Sequence, residues 1–155
     1  MGNILLYLLP ASLYAALTMA CIRDKSDRST LIRALLLSAL LSHAWSLGNL
    51  LFAGGGLRFG FTAALSLTLW LAMLIYSLES LLTPLHRLLK HAAPIAGVSC
   101  LLPLVISGHP QSLLLANWAF KAHIVVAMLA YSLFTLSALQ AVFMSVIEKR
   151  LHQKS

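Results

Sequence analysis

The sequence predicts an all-α fold, a polytopic transmembrane helix bundle of about five spans with its N-terminus outside and its C-terminus in the cytoplasm. Three observations carry this. Sixty per cent of the 155 residues are hydrophobic and only 10% are charged, against about 25% charged in an average soluble domain, and mean hydropathy is +0.89. Apolar runs near span length recur. The longest, residues 122–147, holds 26 residues with no Lys, Arg, Asp or Glu, and about 20 suffice for a hydrocarbon core of about 30 Å. Finally, nine of the eleven Lys and Arg residues fall in alternate connections and the tail, in groups of four, two and three. The connections are too short for a soluble domain, so residues 1–155 read as one transmembrane domain whose first partner is the lipid bilayer. A net charge of +7 in a soluble chain would point to nucleic acid. Here the cations sit at span ends, and that reading falls away.

The first span, residues 3–22, lacks the basic n-region of a secretory signal. The cations Arg23, Lys25, Arg28 and Arg33 follow it and hold its end in the cytoplasm. Pro10 lies mid-span, where neighbouring helices can satisfy the carbonyl it frees. After a polar turn, with Ser29 or Thr30 placed to cap the next helix, the second span covers residues 31–52. On a helical wheel Ser38, Ala39, Ser42, His43, Trp45, Ser46 and Asn49 share one side and Leu fills the other, which predicts that the polar side packs on protein and the Leu side meets lipid. Gly54, Gly55 and Gly56 read as an outer turn. The third span, residues 60–82, carries Thr62, Ser66, Trp70, Met73 and Ser77 on one face, with Glu79 near its inner end. Beyond Pro84, residues 85–91 (LHRLLKH) read as an inner interfacial turn in which His86 and His91 are solvated. The fourth span, residues 92–107, is short and holds Pro94, Gly97 and Pro103, which predicts a kink or tilt. An outer turn at Gly108, His109 and Pro110 leads to residues 111–119, expected along the interface with Trp118 as an aromatic anchor. The fifth span, residues 118–147, descends to the basic tail of Glu148, Lys149, Arg150 and Lys154.

No catalytic constellation accompanies these spans. There is no Ser-His-Asp pattern, no HExxH, no paired carboxylates and no phosphate-binding loop. Of four acidic residues, Asp24, Asp27 and Glu148 lie in predicted cytoplasmic segments, which leaves Glu79 as thin support for an ion pathway. Cys21 and Cys100 fall in spans with no CxxC and read as buried thiols. The residues that stand out are His43 on the second span and His123 on the fifth, because a polar side chain in hydrocarbon must find a partner. By helical rise His43 lies about 13 Å below its outer end and His123 about 7 Å below Trp118. His123 begins a small-residue face that continues through Ala127, Ala130, Phe134 and Ala138, so its imidazole is expected to point into the bundle. Neutral imidazole is a common axial ligand of haem iron, and Trp45, Trp70, Trp118, Phe120 and Tyr131 are candidates to line a porphyrin pocket. The residues alone leave a second reading open: histidines that hydrogen-bond neighbouring helices, and aromatics that pack or anchor.

Residues 122–140 (AHIVVAMLAYSLFTLSALQ), 42–47 (SHAWSL) and 57–70 (LRFGFTAALSLTLW) resemble the cytochrome c assembly protein family (CcsA-related), most nearly its short YpjD-type inner-membrane proteins. The resemblance implies a multi-pass protein of the bacterial inner (cytoplasmic) membrane that binds or passes haem at the outer side and presents it to apocytochrome c. His123 matches the family's histidine at the outer start of the corresponding helix, which implies an axial-ligand role. His43 matches the histidine of the short group, which implies a tentative second iron ligand. Trp45, Trp118 and Tyr131 follow as cofactor-binding candidates. The likeness covers the N-terminal part of the family's pattern. Its tryptophan-rich outer segment and later histidine-bearing helices have no counterpart here, so missing ligands are expected from a second chain or an oligomer. Nothing in the residues argues for bond-making, and the expectation is a handling protein rather than an enzyme. The runner-up is a non-catalytic membrane partner or regulatory subunit whose histidines are structural.

Overall fold

The apolar runs fold as five helices: α1 (Ile4–Arg23), α2 (Thr30–Leu51), α3 (Phe61–Glu79), α4 (His86–Val105) and α5 (Trp118–His152). The computed structural model describes residues 4–23, 30–52, 58–81, 86–106, 111–112 and 118–152. Ser29, Pro84, the Gly54–Gly56 turn, the turn at Gly108, His109 and Pro110, and Lys154 lie outside the described residues. All five helices are long and apolar enough to cross a membrane, the pattern of a multi-pass membrane protein. Their exteriors are rich in exposed Leu, Ile and Val, as lipid-facing surfaces are. The only strands among the described residues are two-residue pieces, β1 (Arg58–Phe59) and β2 (Gln111–Ser112), paired antiparallel with Arg58 opposite Ser112. This pairing fixes the α2–α3 and α4–α5 connections to the same end of the bundle, as alternating crossings require.

Helix α1 packs on α4 and α2, α3 packs on α5, α4 and α2, and α5 touches α4 at fewer positions. Tyr14, Leu17, Leu36, Leu40, Met73, Tyr76, Leu89, Ala93, Ala96, Cys100 and Leu136 form one continuous core. The α1–α4 contact is close because α4 turns small residues toward it: Ala92, Ala93, Ala96 and Gly97 are all buried. A methyl added at Gly97 would sit 3.1 Å from Tyr14 Cβ and 3.6 Å from the Ala11 carbonyl oxygen. Small residues of this kind let helix backbones approach without help from the hydrophobic effect, which is absent between helices in lipid. Pro10 is fully buried within α1. Cys100 is buried, with Sγ 3.3 Å from the Ala96 carbonyl, while Cys21 is half-buried.

Three expectations are corrected. Helix α4 begins at His86, so residues 86–91 are helical rather than a turn, and α4 is a full 20 residues rather than a short span. Leu88 and Leu89 lie on the same buried face as Ala92, Ala93 and Ala96, while Lys90 and His91 are exposed, so the charged stretch is amphipathic and extends the helix. The span-length part of α5, Trp118–Val146, agrees with the expected 118–147, and the helix runs on beyond it to His152. On α2, Ala39, His43 and Ser46 are buried as expected, but so are Ile32, Leu36, Leu40 and Leu47, while Ser38, Trp45 and Asn49 are exposed. The buried arc is centred on His43 and offset by about 80° from the polar arc, because Leu packs on protein as readily as on lipid and does not mark the outer face. On α5 the packed face is Met128, Ser132 and Leu136. His123 lies about 180° from Ser132 on the wheel and is exposed. Its imidazole therefore points away from the bundle, and the alanine stripe below it is not the interface.

A candidate functional site at two histidines

Three helices meet at His43. It is 1% exposed, whereas His91 and His123 are exposed. Its Nδ1 is 3.3 Å from the Tyr14 hydroxyl on α1, and its Nε2 is 2.9 Å from Ser66 Oγ on α3. The Tyr14 and His43 rings are 5.7 Å apart at 87°, an edge-to-face contact. In a neutral imidazole one nitrogen donates and the other accepts, and a hydroxyl can do either. Two hydroxyls therefore satisfy the ring completely.

Neighbouring polar contacts extend this centre. Trp70 donates from Nε1 to the Leu40 carbonyl at 2.9 Å and ties α3 to α2. The Thr68 hydroxyl bonds the Ala64 carbonyl at 2.9 Å and lies 3.7 Å from Met128 Sδ, which ties α3 to α5. The face Thr62, Ser66, Trp70, Met73, Ser77 expected on α3 is buried or half-buried throughout. Thus the mid-bundle polar groups are spent on one another, the lowest-cost state for such groups in hydrocarbon.

His123 has the opposite environment. It lies in the second turn of α5, exposed, with Phe120 three residues back on the same side of the helix, 48% exposed. Trp118 is 81% exposed at the first residue of α5, turned about 140° from His123 on the wheel. Tyr131 and Trp45 are exposed on other faces, Trp45 on a different helix. The structure therefore does not gather Trp45, Trp118 and Tyr131 around either histidine. Nor does it bring His43 and His123 together, since one is enclosed by α1, α2 and α3 and the other is on the outward side of α5. Among the described residues no group of three or more His, Cys, Asp or Glu side chains could hold a metal ion. His91 is exposed as expected, its ring 5.8 Å from that of Phe143.

A haem group tests these positions differently. Axial ligation takes an imidazole nitrogen with open space before it. At His43 both nitrogens are occupied and the side chain is enclosed, so iron would have to displace the Tyr14 or Ser66 hydroxyl. At His123 the imidazole is open and Phe120 offers a flat apolar neighbour, so it fits as one ligand of two. Tyr14 is the residue that the sequence reading left without a role. Its signal was a phenol in the middle of an apolar span, which must find a hydrogen-bond partner. No family model, no curated protein and no solved structure matches this chain.

Proposed function

We propose that this chain is a haem-handling protein of cytochrome c assembly in the bacterial inner membrane, oriented N-out and C-in. His123 supplies one axial ligand to the iron near the outer surface. The observation that carries this reading is the open imidazole of His123 beside Phe120, at the end of α5 remote from Glu148 and Lys149. The likeness of residues 122–140 to the family's histidine-bearing helix supports it from the sequence. One exposed histidine leaves the opposite coordination position to another group. The reading therefore includes a partner helix, from a second chain or another copy, that completes the pair before haem passes to apocytochrome c. Haem bound here supplies its own redox chemistry, and the chain's part is to hold and orient it, which makes this a carrier rather than an enzyme.

A second reading is favoured by the enclosed state of His43: a non-catalytic membrane partner or regulatory subunit in which that histidine is purely structural. Oxidised and reduced absorption spectra of the protein purified from haem-replete cells separate the two. A Soret band that is lost in His123→Ala and retained in folded His43→Ala supports the carrier. A folded wild-type protein that takes up no haem, even on reconstitution and with its copurifying partners present, overturns it in favour of the second.

A further inference from the structure

We draw no further inference here: the strongest candidate, the outward face of α5 from His123 through Ala127, Ala130, Phe134 and Ala141, is a small-residue surface that the bundle leaves exposed or half-exposed, and nothing in the structure shows what covers it.

Discussion

His43 holds three helices through one side chain, and its removal should be felt as stability rather than as chemistry. His43→Ala breaks the contacts to Tyr14 and Ser66 and leaves a space the size of an imidazole beside the Tyr14 ring. Each interhelical hydrogen bond in a membrane is worth about 0.6 kcal/mol on average, while a buried group left unsatisfied costs about 1–3 kcal/mol. The second effect dominates for Tyr14, whose fully buried hydroxyl bonds His43 and stands at the far end of its ring from the helix backbone, whereas the Ser66 hydroxyl can turn to a carbonyl of its own helix. We predict a loss of about 2–3 kcal/mol for His43→Ala and of about 1–2 kcal/mol for Ser66→Ala, which leaves the buried His43 Nε2 without its hydroxyl partner, read from reversible unfolding in mixed micelles. His123→Ala, at an exposed site, should leave the curve unmoved. Equal losses at His43 and His123 would show that the enclosed network is not the source of stability. Both histidines and Ser66 were legible in the sequence as polar groups in apolar helices. The direction of His123 was not, because an alanine stripe serves a lipid-facing surface as well as an interface.

At the level of elements, helix number and type, the approximate bounds of α1 to α3 and the inward face of α3 followed from the spacing of apolar and polar residues, while the start of α4 and the inward faces of α2 and α5 did not. Helix α4 shows why. Arg87, Lys90 and His91 look like an interruption when counted along the chain, yet Leu88 and Leu89 between them continue the buried face of Ala92 and Ala93. The α1–α4 contact was foreshadowed only by Gly97, whose role depends on which helix comes opposite. Two glycines now make opposite predictions. Gly48 on α2 has no atom within 4 Å of an added methyl, whereas at Gly97 that methyl would meet Tyr14 Cβ at 3.1 Å. A Cβ anchored to a helix backbone cannot move without its helix. Gly97→Leu should therefore push α1 from α4 and cost about 1–3 kcal/mol, as overpacking does. Gly48→Ala should gain up to about 1 kcal/mol in helix propensity. Thermal unfolding of the two variants in one detergent checks both signs. A destabilised Gly48→Ala would mean that the shallow groove lined by Trp45, Gly48 and Asn49 on α2 is occupied by something other than the described residues.

For the whole molecule, parity and orientation come from different physics. The β1–β2 pairing joins the α2–α3 and α4–α5 connections, so α3 and α4 together make a full return, and the five helices put the two termini on opposite sides. Which side is which rests on charge: nine Lys and Arg residues belong to the α1–α2 and α3–α4 connections and the tail with their adjoining helix turns, and only Arg58 and Lys121 to the other side. Translocating cations against the positive-inside bias is disfavoured, and reversing this chain would translocate nine instead of two. A fluorescent protein that matures only in the cytoplasm, fused after Ser155, should therefore be bright. Alkaline phosphatase, active only outside, should be active when fused between α2 and α3 and inactive after Ser155. The bias also predicts its own failure. Neutralising Arg23, Lys25, Arg28 and Arg33 while adding three lysines between α2 and α3 reverses the asymmetry around the first two helices and leaves five cations on each side of the whole chain, and both reporters should then give mixed signals. A phosphatase that is active after Ser155 in the unaltered chain would invert the bundle. It would place His123 on the cytoplasmic side, where an axial ligand could not present haem outward.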